Sequence, residues 1–115
     1  MCDAVMLQLG GGLSECVYRN ALAVEMRIKG YKPECERVIP ISYCGEYVGF
    51  CRADIVFEDK SITYVLELKS KQTLTAADKQ QGLVYKRHLD SGGGDAVNVL
   101  LINFTLQGKV QVTRV

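Results

Sequence analysis

Asp54 and the run Glu67-Leu68-Lys69 hold the residue types in this chain best suited to chemistry at a phosphodiester. Mg²⁺ takes oxygen ligands in an octahedron at about 2.0–2.1 Å and commonly uses one or two carboxylates, leaving positions for water and a substrate phosphate. Asp54 and Glu67 supply the carboxylates, and the backbone carbonyl of Leu68 adds a further oxygen. An ion held there would offset the repulsion between the two acids and lower the pKa of a bound water. Lys69 would orient that water or stabilise charge developing on the phosphorane. The plainer alternative is a solvated sheet face, with Lys69 merely pairing one carboxylate in an exposed contact of little energetic consequence.

For that chemistry the acids must share a face, which is a question of strand register. Tyr47 to Phe57 reads as a strand, with Arg52, Asp54 and Val56 on one face and Ala53, Ile55 and Phe57 on the other. Ile62 to Lys69 reads as the next strand after the polar turn Glu58 to Ser61. A hairpin centred between Lys60 and Ser61 sets Asp54 opposite Glu67, with Lys69 on the same face and Ile62, Tyr64, Leu66 and Leu68 on the other. A slip of one residue would separate the acids.

The remaining elements flank this pair. Ser14 to Lys29 reads as a helix, with Ser14 as N-cap, Glu15 in the first turn where the dipole favours a carboxylate, and Val17, Ala21, Val24 and Ile28 recurring up to Gly30. Val38 to Cys44 precedes a turn at Gly45-Glu46, and Pro40 argues that this strand is at an edge or irregular there. Leu74 to Leu89 reads as a second long helix whose stripe of Leu74, Ala77, Gln81, Val84, Tyr85 and His88 is interrupted by Gln81. An inward glutamine needs polar partners, and the face carrying Asp54, Glu67 and Lys69 would provide them. Ala96 to Phe104 suits a buried parallel strand reached through that helix, and Gly108 turns the chain into a last strand, Val110 to Val115.

Length and composition restrict the alternatives. The 115 residues, 48% apolar and 23% charged with two prolines, are expected to form a single globular domain over 1–115. No run approaches the roughly 18 apolar residues of a membrane span, and the N-terminus lacks a secretory pattern, so an intracellular protein without membrane contact is expected. Five cysteines without a CxxC pair, and His88 as the single histidine, argue for reduced thiols and against a zinc site or a cysteine nucleophile. His88 is read as a packing or surface residue. The runs Gly10-Gly11-Gly12 and Gly92-Gly93-Gly94 lack a phosphate-loop context and read as hinges. A net charge of +1 gives no global attraction to nucleic acid. Positive charge gathers only locally, in Lys69, Lys71, Lys79, Lys86 and Arg87.

The order helix, Asp on the second strand of a meander, Glu-x-Lys on the third, helix and parallel strand resembles the PD-(D/E)XK nuclease superfamily. Gly12-x-x-Glu15-x-x-Tyr18 with Ala21-Leu22, Gly49-x-x-Arg52-Ala53-Asp54, Glu67-Leu68-Lys69, Leu74-Thr75, Gln81 and Leu101-Ile102-Asn103-Phe104 looks like the GxxExxY family within it. The resemblance implies an α/β fold, a restriction-endonuclease-like core with a mixed central sheet flanked by two long helices. It makes Asp54, Glu67 and Glu15 metal ligands together with the Leu68 carbonyl, and Lys69 the catalytic lysine. Gln81 with Tyr85 is similar to the Gln-x-x-x-Tyr element of RecB-like nucleases, implying a glutamine that supports the site and a tyrosine that contacts substrate or the lysine; Tyr85, Arg52 and Lys71 are the substrate-binding candidates. Met6 and Asp78 stand where members often carry His, and Gly11 where Pro is usual. Two functions follow from the resemblance: a Mg²⁺- or Mn²⁺-dependent nuclease acting on DNA, or a non-catalytic nucleic-acid-binding or assembly module on the same fold. Either is compatible with a homodimer or a larger nuclease assembly.

Overall fold

A computed structural model describes residues 1–90 and 96–115, apart from the side chain of Asp90; Gly92-Gly93-Gly94 falls outside the described residues. Helices α1 (Cys2–Leu9) and α2 (Glu15–Ile28) come first. Strands β1 (Glu34–Tyr43), β2 (Glu46–Asp59) and β3 (Ile62–Lys69) follow, then helix α3 (Ala76–Asp90) and strands β4 (Ala96–Phe104) and β5 (Val110–Arg114). The strands form one sheet in the order β1-β2-β3-β4-β5. The first three make an antiparallel meander, β4 runs parallel to β3 through the α3 crossover, and β5 returns antiparallel to β4. This is the mixed sheet with two long flanking helices that the sequence implies. The addition is α1, formed by the apolar stretch before the first glycine run. Among the described residues no helix is long and apolar enough to cross a membrane.

Turn chemistry sets the register of the meander. Lys60 and Ser61 both take positive φ, 51° and 64°, the paired left-handed geometry that matches the twist of flanking strands. Asp59 pairs with Ile62, Phe57 with Tyr64 and Ile55 with Leu66, as a hairpin centred between Lys60 and Ser61 requires. The other hairpin turns one residue earlier than expected. Tyr43 pairs with Glu46, so the turn is Cys44-Gly45, with φ of 52° and 80°. Such a turn needs two left-handed residues and accepts glycine readily at the second, which Gly45-Glu46 would not provide.

Each sheet face has its own core. On one, Val5 and Met6 of α1 and Tyr18, Leu22 and Met26 of α2 pack on Ile55, Leu66, Leu68, Ile102 and Phe104. On the other, Tyr85 of α3 packs on Ile39, Ala53, Val56, Val65, Val97 and Val99. Both helices are rolled relative to the stripes read from sequence. In α2, Val17, Val24 and Ile28 are 39%, 52% and 72% exposed, whereas Tyr18, Leu22 and Met26, at i, i+4 and i+8, face the sheet. The larger side chains gain more by burial, and Tyr18 stacks flat on Phe104 at 4.5 Å between ring centroids. In α3, Ala77 and Gln81 are exposed and the buried side is Asp78, Gly82 and Tyr85. A Cβ on Gly82 would lie 3.3 Å from a Val99 methyl and 2.8 Å from one of Val115. That close approach sets the helix roll.

Strict alternation also fails once, in β2. Ala53 and Val56 both join the α3 side while Ile55 joins the α2 side, so two successive residues, Ala53 and Asp54, turn toward α3. Opposite them on β1, Glu36 takes φ 53° and the β1–β2 pairing skips Glu36 and Asp54. The register is the same on either side, so neither strand gains a residue; the ladder is interrupted there and one side chain is re-aimed. Asp54 and Val56 share a face as expected, but Arg52 lies on the opposite one.

The first glycine run is a fitted surface. A Cβ on Gly11 would stand 2.7 Å from the carbonyl oxygens of Thr105 and Leu106. The Tyr18 hydroxyl donates to the Gly10 carbonyl and accepts the Leu13 N–H, closing the loop on the start of α2. Tyr18→Phe keeps the ring stack and removes both bonds. Urea denaturation of this variant is expected to show a loss of about 1–2 kcal/mol; an unchanged midpoint would mean that the loop holds itself.

Candidate functional site

The β2–β3 pairing ends at Ile55 and Leu66, although β3 continues to Lys69, so Asp54 and Glu67 adjoin without being the ladder partners that the sequence register predicts. Beyond that point β2 departs with β1, and the N–H of Leu68 loses its strand partner. Asp54 replaces it: its Oδ2 accepts the Leu68 N–H at 2.8 Å. In an extended strand the N–H and C=O of one residue point to the same edge, so the Leu68 carbonyl faces this gap too. The Leu68 side chain is fully buried on the α2 side of the sheet.

Glu67 follows the pleat to the α3 side and is 5% exposed. Its Oε1 lies 3.9 Å from the Lys69 ammonium, and its Oε2 is buried with no hydrogen-bond partner. Burial, then the charge of Asp54 and the contact between the two carboxyls, push Glu67 up to about 8; Lys69 and the Tyr85 hydroxyl pull the other way without prevailing. Lys69 donates to Oε1 of Gln81 at 3.1 Å, Nε2 of Gln81 donates to the Tyr85 hydroxyl at 3.1 Å, and Tyr85 donates to the Arg52 carbonyl at 2.7 Å. Gln81 does reach the polar face, from the rim of α3 instead of its buried side. Burial and then the Glu67 charge raise the Tyr85 phenol, so it remains a donor. Cys51 is also half-buried on this side, its thiol raised by burial and further by Glu67.

Asp54, Glu67, Leu68, Lys69, Gln81 and Tyr85 therefore form one connected group, while Glu15, Lys71 and Arg52 stand outside it. Glu15 is exposed in the first turn of α2. Ser70 Oγ donates to the Leu13 carbonyl at 2.8 Å, which holds the start of that helix beside the end of β3. Among the described residues, however, no three acidic, histidine or cysteine side chains gather closely enough to hold a metal. Lys71 is committed elsewhere, donating to both carboxylate oxygens of Asp78 at 3.0 and 3.1 Å. Arg52 lies over the Phe50 ring, 5.6 Å from its centroid, on the far side of the sheet.

Two supports went unrecognised in the sequence. Asp78 accepts the Thr75 N–H at 2.8 Å while its own N–H donates to Thr75 Oγ1, a reciprocal cap at the start of α3. Burial alone would raise the Asp78 carboxyl, but bonds from Thr75 and Lys71 outweigh it and hold it below its ordinary value. The spacing Thr75-x-x-Asp78 carries that signal. Asn103, fully buried, accepts the Lys71 N–H and donates to the Lys71 carbonyl, both at 3.0 Å, and donates to Gln111. Only the fold shows this clamp.

A cation suits the donor set. Two adjoining carboxyls, one raised by the other, an orphaned buried Glu67 oxygen and a backbone carbonyl facing the same gap are all oxygen donors, as Mg²⁺ and Mn²⁺ prefer.

The raised Glu67 carboxyl makes stability depend on pH in a definite direction. Its folded value exceeds its unfolded one, so its contribution is complete below about pH 4.5 and is lost as pH rises through about 8. In chelating buffer, the stability read from urea melts should fall across that window, by at most about 1.4 kcal/mol per pH unit. Glu67→Gln should flatten the profile; equal slopes in wild type and variant would refute the assignment.

A profile of the PD-(D/E)XK nuclease superfamily matches residues 1–115. The chain is also similar to the crystal structure, at 2.19 Å, of a "Putative exonuclease" from Eubacterium rectale. The TM-score is 0.56 and the identity 13%, over 85% of this chain and 44% of that one. The chain thus spans less than half of that protein's length, and the likeness is one of fold. No curated protein matches the chain in sequence. With the family profile matched from end to end on a mixed sheet of this order, the chain belongs to the PD-(D/E)XK nuclease superfamily.

Proposed function

We propose that the chain hydrolyses phosphodiester bonds of DNA with Mg²⁺ or Mn²⁺, as an intracellular member of the GxxExxY, RecB-like branch. The observation that carries this reading is the single connected group of Asp54, Glu67, Lys69, Gln81 and Tyr85 beside a buried, unpartnered Glu67 oxygen. Asp54, Glu67 and the Leu68 carbonyl would hold the ion, and Glu15, on the adjoining helix end, would join them. The ion would supply a water of lowered pKa and positive charge for the phosphorane.

The side chains do the rest. Gln81 accepts from Lys69 and so fixes the direction in which its ammonium would meet the phosphate. Tyr85, held by the Arg52 carbonyl, orients Gln81 in turn. Asp54 ties its own position to the Leu68 backbone, making the carboxylate spacing a property of the sheet. Lys71 and Arg52 would contact the nucleic acid outside the reacting centre.

A non-catalytic nucleic-acid-binding or assembly role is the second reading, favoured by the absence of a third gathered carboxylate among the described residues. End-labelled single-stranded, duplex and branched DNA, with RNA in parallel, separate the two. Cleavage should require Mg²⁺ or Mn²⁺ and fall by at least about 10²-fold in Asp54→Asn, Glu67→Gln and Lys69→Ala. Calorimetric Mn²⁺ binding should disappear in Glu67→Ala. No cleavage with either metal, together with metal-independent binding that Asp54→Ala leaves intact, would establish the second reading.

A further inference from the structure

Beyond the break in pairing at Asp54, β1 and β2 continue as an arm that neither α2 nor β3 covers. The β2–β3 pairing stops at Ile55, and α2 begins only one turn before Arg19, whose guanidinium takes the Glu36 carboxylate on β1 at 3.1 Å. Everything from Arg37 to the hairpin tip and back to Ala53 runs past the start of that helix. Pairing assigns the arm's two faces. Ile39 and Cys51, paired, face α3; Val38 with Arg52 and Pro40 with Phe50 face the other way, and after the shift at Ile41 and Ser42 so do Ser42 and Tyr47. The uncovered face thus presents Tyr47, Phe50 and Arg52 in a row along β2, flanked by Val38 and Pro40. Tyr47 is 65%, Phe50 50% and Val38 49% exposed.

Exposed aromatics in a row, with a guanidinium lying over one of them, are chemically unlike an ordinary solvated face. They offer flat apolar surfaces, with Phe50 and Arg52 at the strand's every-second-residue spacing of roughly 6.8 Å and Tyr47 beyond the register shift. A cation stands at the end nearest Asp54. The arm's single carboxylate, Glu46, sits at the far tip, where its partner is Tyr43. Arg52 is two residues from Asp54 on the same strand, at the point where the sheet opens between Asp54 and Leu68. The row lies on the face away from α3, so a chain lying along it would reach the acids through that gap.

We propose that this face is a stacking platform for unpaired bases, so that the strand delivered to the site is single-stranded nucleic acid. The proposal rests on the nuclease reading for the chemistry, but the platform's binding requires neither metal nor cleavage. Stacking on exposed rings recognises the faces of bases, which are open in a single strand and hidden in a duplex. Arg52 would hold the backbone or a base plane at the last position before Asp54.

The chain contains no tryptophan, so Phe50→Trp introduces a single tryptophan that can be excited selectively. In chelating buffer, oligothymidylate should quench this emission strongly, whereas an abasic oligomer of equal length, carrying the same phosphates, should not. Fluorescence anisotropy with labelled oligothymidylate should show affinity reduced about 5- to 100-fold in Phe50→Ala and in Tyr47→Ala, and restored in Phe50→Trp. Equal binding of oligothymidylate and abasic oligomer, or unaltered affinity in both alanine variants, would overturn the platform. So would a wild-type dimer that Phe50→Ala dissociates in sedimentation, since the face would then be occupied by a second copy. Binding and quenching without any cleavage would sink the nuclease reading and leave the platform standing. Cleavage with no preference for bases would do the reverse.

Discussion

The structure turns on one hydrogen bond, from the Leu68 N–H to the Asp54 carboxylate. It lies where two strands stop pairing, and there a side chain takes over a ladder position. An unpaired buried N–H is costly, and a carboxylate satisfies it with a strong, short contact. The same substitution leaves an acid beside Glu67 in a site too dry to ionise both readily. The fold therefore holds a pair of acids in tension, and the tension depends on backbone geometry more than on either residue.

Much of the remaining structure keeps that geometry in place. Tyr18 closes the loop before α2 and stacks on Phe104, so the start of α2 is pinned to the middle of the sheet. Ser70 ties the same loop to the end of β3. Asn103 grips both backbone groups of Lys71, and Lys71 reaches Asp78, which caps α3. The helix so placed lowers Gln81 and Tyr85 onto Lys69 and Arg52. Residues spread over the whole chain thus converge on a few backbone positions at the strand ends.

The elements were largely legible because their signals are local. β3 and β4 have the bounds read from sequence, since apolar runs between turn residues delimit them sharply. Lys60-Ser61 centred its hairpin as expected even though neither residue is glycine, and the pairing of Ile55 with Leu66 followed. The helix faces were not legible. α2 carries two apolar stripes, Val17-Ala21-Val24-Ile28 and Tyr18-Leu22-Met26, and periodicity cannot choose between them. The choice came from ring stacking and from the Gly10 and Leu13 contacts of Tyr18, all with distant or loop partners. In α3 the Gly82 contact with Val99 and Val115 decided the roll in the same way.

By itself, then, the sequence determined which groups could meet: Asp54 and Glu67 by hairpin register, Lys69 by the pleat, and Gln81 with Tyr85 by their spacing of four on one helix. Those are consequences of chain connectivity over a few residues. Tertiary structure alone decided how they meet. It turned Asp54 toward α3 at the break in pairing opposite Glu36, left Arg52 on the other face beside Phe50, and committed Lys71 to Asp78. It left Glu15 at the rim. The reason is that each of these outcomes depends on where one element stops pairing with another, and that is settled by packing between segments far apart in the chain.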